Sequence, residues 1–172
     1  KYEKALNYYY EGINLDPDND EINRNIGKCY LSQKKYKDAE IFFNKALNIK
    51  KDNPDALFNL GLIKILSNEI NKAIQFLNRA LNSRPNFTEC IYNLGICYKN
   101  LGDFKTAINY YLKVIEINPN HLKAYNNLGV CYLILNDHNN ALNILNKCLA
   151  KNPNYSFAYN NLGSVYVALK NF

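Results

Sequence analysis

The chain of 172 residues has no tryptophan, no methionine and two histidines. Its five cysteines are an odd number for a disulfide framework, and none forms a Cys-x-x-Cys pair. Cys90 and Cys97 stand seven apart, but no histidine or second cysteine pair completes a metal site around them. No cofactor and no metal are expected. Reduced thiols of this kind suit a cytoplasmic or nuclear protein. No apolar run approaches ~18 residues, so no membrane contact through a spanning helix is expected. The opening Lys1-Tyr2-Glu3 lacks signal-peptide architecture and reads as a cut from something longer. A glycine-rich phosphate loop and a Gly-x-Ser-x-Gly turn are both missing. Any catalysis by the parent protein is therefore expected outside residues 1–172. A strong charge of one sign is missing too. The net charge is +6, with 15 basic against 13 acidic residues up to Asp103 and 6 against 2 from Phe104 onward. That falls short of the clustered basic stripe that nucleic-acid binding needs, and no nucleic-acid partner is expected.

What is present is a repeat. Asn25-Ile26-Gly27 returns as Asn59-Leu60-Gly61, Asn93-Leu94-Gly95, Asn127-Leu128-Gly129 and Asn161-Leu162-Gly163, each glycine 34 residues after the last. A fixed period of that size marks a stacked solenoid. With the glycine as slot eight, complete repeats run 20–53, 54–87, 88–121 and 122–155. Residues 1–19 are the second half of an earlier unit, and 156–172 the first half of a later one. Slot twenty is Ala5, Ala39, Ala73, Ala107 and Ala141. Slot twenty-four is Tyr9, Phe43, Leu77, Tyr111 and Leu145. Cys29, Cys97 and Cys131 share slot ten, which argues for a small buried apolar role.

Each repeat reads as two helices. Slots four, seven and eleven follow helical spacing in the first, and the second carries alanine, a large apolar residue and a small one, as in Ala107, Tyr111 and Val114. Between them, Gly102 supplies a positive φ. Pro17, Pro85, Pro119 and Pro153 are expected to stop the second helix, and Asn86, Asn120 and Asn154 to begin the turn into the next. Pro54 suits a first helical turn. His121 reads as a loop residue, and His138 as a packing residue in the slot of Tyr36 and Phe104. Glycine and alanine at the contact slots let paired helices approach closely. One pair cannot bury its faces alone, so neighbours must stack.

A 34-residue helix–turn–helix unit with Leu-Gly, Tyr, Ala, a large apolar residue and Pro in these slots resembles the tetratricopeptide repeat. The resemblance covers essentially the whole chain. It departs at slot four, where Asn23, Leu57, Ile91, Tyr125 and Tyr159 replace tryptophan, and at Lys51 and Lys64. It implies an all-α, right-handed superhelical solenoid of antiparallel helix pairs, with the first helices lining a concave groove that binds proteins through extended peptides.

Carried over slot by slot, the resemblance puts Glu21, Asp55, Glu89, Lys123 and Phe157 on the inner face at slot two, and Arg24, Phe58, Tyr92, Asn126 and Asn160 at slot five. Lys28, Leu62, Ile96, Val130 and Ser164 follow at slot nine. Slot six is always asparagine: Asn25, Asn59, Asn93, Asn127 and Asn161. A carboxamide donates and accepts at once, so this ladder is expected to read peptide main chain. With first helices ~10 Å apart and an extended peptide rising ~3.3 Å per residue, one asparagine would meet about every third residue. The expected peptide contacts are these five asparagines with Phe58, Tyr92, Glu89 and Lys123. The ladder resembles the tetratricopeptide superhelices of the O-GlcNAc-transferase and SPINDLY type, which implies a region that recruits substrates or adaptors. The alternative is a generic scaffold of a multiprotein assembly. A co-chaperone clamp would need lysine and asparagine where Arg24/Lys28, Phe58/Leu62 and Tyr92/Ile96 stand, and it is absent. The incomplete ends, with Leu6, Ile13, Tyr166 and Leu169, leave self-association open.

Overall fold

The computed structural model describes residues 1–170; Asn171 and Phe172, the last two residues of the expected final half-repeat, lie outside the described residues. Every element among the described residues is helical. The chain forms two compact units, residues 1–87 and 88–172. The first holds α1 (Tyr2–Leu15), α2 (Asp20–Ser32), α3 (Tyr36–Ile49), α4 (Pro54–Leu66) and α5 (Ile70–Ser83). The second holds α6 (Thr88–Asn100), α7 (Phe104–Ile117), α8 (Leu122–Ile134), α9 (His138–Lys151) and α10 (Ser156–Lys170).

In each unit the pairs α2/α3, α4/α5, α6/α7 and α8/α9 are joined by three-residue connections, which force antiparallel neighbours. Each pair packs closely where the slot-eight glycine lies under the slot-24 side chain. A Cβ added at Gly27, Gly61, Gly95 or Gly129 would stand 2.8, 2.8, 2.6 or 2.7 Å from Phe43, Leu77, Tyr111 or Leu145. Those four side chains, and the slot-twenty alanines Ala39, Ala73, Ala107 and Ala141, are wholly buried. Small residues on one helix thus make room for one large residue on the other.

The connections repeat a backbone device. Slot fifteen takes the left-handed region every time, with φ 60° at Lys34, 60° at Asn68, 78° at Gly102 and 58° at Asn136. Glycine and asparagine tolerate that conformation; lysine has no such excuse.

One expectation about helix ends changes. α5, α7 and α9 stop two residues before Pro85, Pro119 and Pro153, as the residue before a proline disfavours helix. But α3 stops in the same register at Ile49, although Lys51 stands where the proline would be. Proline therefore reinforces a terminus that the repeat geometry already sets. Asn86, Asn120 and Asn154 lie in the turns, as expected, and the residue that caps the next helix is the one after that slot. Asn19 Oδ1 accepts from Ile22 N at 3.0 Å, Asn53 Oδ1 from Asp55 N and Ala56 N at 3.0 and 3.1 Å, and His121 Nδ1 from Ala124 N at 3.1 Å. Asp103 and Asp137 cap α7 and α9 through Thr106 N and Asn140 N.

Candidate protein-interaction faces

The first helix of each repeat carries the expected contact residues, and its amphipathic register decides which of them reach solvent. Slots four, seven and eight point at the partner helix; slots two, five and six fall on the neighbouring face. In the first unit that face belongs to α2 and α4. Asp55 is its electrostatic centre. Arg24 Nη1 donates to its Oδ2 at 3.1 Å, while Arg84 Nη1 and Nη2 donate to Oδ1 and Oδ2 at 3.1 and 3.2 Å. Burial pushes the Asp55 carboxyl upward, but the Arg84 hydrogen bonds and the charges of Arg84, Arg24 and Lys28 outweigh it and hold it below the usual carboxylate range. Phe58 is half-buried with its ring 4.8 Å from that of Phe87, and Arg84 lies over the Phe87 ring at 4.6 Å. Asn25 is half-buried on α2. Asn59 is 8% exposed, and its Nδ2 donates to Asp55 O at 2.7 Å.

In the second unit the face is carried by α6, α8 and α10. Glu89 and Lys123 are exposed in the first turns of α6 and α8. Asn93 repeats the Asn59 arrangement, with Nδ2 donating to Glu89 O at 2.7 Å. Asn127 and Asn161 do something else: they bond to slot five of the preceding repeat. Asn127 Nδ2 donates to Tyr92 Oη at 3.0 Å, and Asn161 Nδ2 to Asn126 Oδ1 at 2.7 Å. The Tyr92 ring packs 4.8 Å from His121 and 5.8 Å from Tyr111, and burial pushes its phenol pKa up. Burial lowers the His121 pKa and so favours the neutral imidazole that its capping bond requires. Tyr92, Lys123, Asn126, Asn127, Tyr155 and Phe157 enclose a hollow of about 290 Å³.

Such a face offers hydrogen-bond groups and aromatic surface for binding, and little for catalysis. Among the described residues no group of three His, Cys, Asp or Glu side chains is placed to hold a metal ion. None of the five cysteines is in a disulfide, and burial pushes the thiols up, Cys90 to about 12 and Cys97 and Cys131 to about 11. No helix among the described residues is long and apolar enough to cross a membrane.

Residues 1–56 and 87–151 each match a family model described as tetratricopeptide repeat, and 32–114 match the model of anaphase-promoting complex (cyclosome) subunit 3. These are tetratricopeptide repeats. Among solved structures, MamA is 26% identical, with 90% of this chain and 91% of that one covered and a TM-score of 0.82. YrrB, titled a TPR protein with an unusual peptide-binding site, is 29% identical, with 92% and 82% covered and a TM-score of 0.78. The anaphase-promoting-complex hetero-tetramer Cut9–Hcn1 shares the fold, at 19% identity and a TM-score of 0.84 over 95% of this chain and 33% of that one. No curated protein sequence gives a significant match. The tetratricopeptide repeat is a protein-interaction fold, not an enzyme fold.

Treating every tetratricopeptide repeat alike, the sequence pattern overlooks His121, Tyr155 and Arg84. The signal for the slot-six to slot-five bonds was present, as a 35-residue spacing one longer than the period, linking Asn127 to Tyr92 and Asn161 to Asn126. Nothing in a single repeat marks it, because the bond joins two.

Proposed function

We propose that the asparagine-bearing faces bind extended peptide segments of partner proteins. One observation carries this reading. Asn59 and Asn93 are tethered through Nδ2 to a carbonyl four residues earlier in their own helix. Asn59 is buried, whereas at the partly exposed Asn93 the tether leaves Oδ1 held in place as an acceptor for a peptide N–H, and pre-ordering lowers the entropy lost on binding. The likeness to YrrB, whose title names a peptide-binding site, supports it at 29% identity. Peptides selected by display on the intact chain supply the test, read by fluorescence anisotropy. Asn93→Ala should weaken capture ~10-fold, the worth of about one good hydrogen bond, with an unchanged melting curve. Unaltered affinity would reject Asn93 as a contact.

The finer setting belongs to the same proposal: a substrate- or adaptor-recruiting region of an O-GlcNAc-transferase-like protein, in the cytoplasm or nucleus. The invariant slot-six asparagine supports it. The competing setting, a scaffold of a multiprotein assembly, is supported by the match of residues 32–114 to an anaphase-promoting-complex subunit model. Sequencing the transcript beyond Phe172 separates them: a glycosyltransferase domain favours the first, further repeats and a stop the second. Self-association through α10 onto α1 of a second copy has one supporting observation. Gly163 has nothing within 4 Å, whereas the other four slot-eight glycines each lie under a slot-24 side chain. Tyr9 is the slot-24 residue that a second copy would bring. Sedimentation velocity of the chain and of Tyr9→Ser tests this, and a monomer at all concentrations would reject it.

A further inference from the structure

The hydrogen bonds that bind α6, α8 and α10 together also fix which polar atoms remain for a guest in the 290 Å³ hollow between them. Tyr92 Oη accepts from Asn127 Nδ2, so its own proton is left to donate. Asn126 Oδ1 accepts from Asn161 Nδ2, so one oxygen lone pair is taken and both N–H groups of that carboxamide remain as donors for a guest. Lys123 adds an exposed ammonium with three donors, and Tyr155 a further hydroxyl. The six lining residues include one cation and no carboxylate. Glu89, exposed on the first turn of α6, does not line the hollow; its charge acts on His121. Phe157 and Tyr155, with ring centroids 5.6 Å apart, supply an apolar wall.

We propose that this hollow is an anchor for an aspartate or glutamate side chain of a bound peptide: the donors of Tyr92, Asn126 and Lys123 take the carboxylate, and the Tyr155–Phe157 wall takes its methylenes. The inference rests on the peptide-binding reading above and names the chemistry of one subsite within it. A carboxylate is favoured over a phosphoryl group by the charge count. One ammonium balances one negative charge, whereas a phosphate ester carries ~1.5–2 and is gripped by arginine clusters.

The probe is an array of labelled nonapeptides with randomised flanks, fixed at the centre as Glu, Asp, Gln, phosphoserine or Lys, and incubated with the intact chain. Glu and Asp members should be retained ~10-fold above Gln members, the scale of a charge-assisted hydrogen bond, and above phosphoserine. Lys123→Met should erase the Glu/Gln difference while leaving Gln binding unchanged, and Tyr92→Phe, which also removes the acceptor for Asn127, should reduce the difference severalfold in a chain that remains folded by circular dichroism. Raising the salt should weaken the Glu members selectively. Equal retention of Glu and Gln, or a difference that survives Lys123→Met, overturns the carboxylate anchor while the peptide-binding reading stands. Stronger retention of phosphoserine reassigns the hollow to a phosphoryl group. Retention of no member at any centre removes both readings.

Discussion

At the scale of single residues, one slot gives opposite expectations in two repeats. An alanine methyl at Gly95 would stand 2.6 Å from Tyr111 Cε1, and that ring is wholly buried and has nowhere to move. Gly95→Ala should lower stability by ~1–3 kcal/mol through overpacking, despite alanine's better helix propensity. Gly163 faces open space, so Gly163→Ala should raise stability by up to ~1 kcal/mol. Chemical denaturation of both variants decides, and two shifts of the same sign would refute the packing account. Tyr111 itself carries a buried hydroxyl with no hydrogen-bond partner among the described residues; Asn127 is the polar side chain that faces it. Tyr111→Phe should therefore be neutral or stabilising by ~1 kcal/mol, since the ring stays and an unsatisfied polar group goes. A midpoint lowered in urea would show that Asn127 satisfies the phenol after all.

At the scale of elements, turns and caps set the marginal terms. Lys34 sits at φ 60°, in the slot where Gly102 sits at 78°. Lys34→Gly should stabilise the α2–α3 turn by ~1 kcal/mol and Gly102→Ala should destabilise α6–α7 by a similar amount; thermal melts of the pair test both directions. The cap of α8 brings pH dependence. Burial holds the His121 pKa below the ordinary 6.5, so the unfolded chain takes up this proton first as the pH falls. The stability that the neutral cap contributes is present in full above 6.5 and is lost as the pH drops below it. His121→Asn, which copies the caps of α2 and α4, should flatten that part of the stability-versus-pH curve. An unchanged slope would place the dependence elsewhere. Helix existence and pairing were legible in the period. The cap of α8 was not: His121 reads as a loop residue in the sequence, and only the backbone decides whose side chain meets the free N–H groups.

At the scale of the whole molecule, all five cysteines are buried, with Cys29 at 9% exposure the most accessible. A disulfide reagent at pH 8 should label the native chain slowly, reach Cys29 first, and titrate all five thiols at once in denaturant. Fast labelling of Cys90 or Cys97 would mean that α6 opens locally. Four of the five asparagines, identical in the repeat frame, divide in the folded units: Asn59 and Asn93 are tied to their own helices, whereas Asn127 and Asn161 tie repeats together.

The sequence alone determined the all-helical repeat, its period and the small-against-large packing slots, because these depend on contacts that recur every 34 residues and so are written several times over. Only the tertiary structure decided that Asp55 holds two arginines, that Tyr92 Oη accepts from Asn127, and that Asn126 Oδ1 accepts from Asn161. Arg24, Asn127 and Asn161 reach their partners from an adjacent repeat and Arg84 from the far end of its own, all within 3.2 Å, and a periodic pattern describes the slots without saying which neighbour will use them.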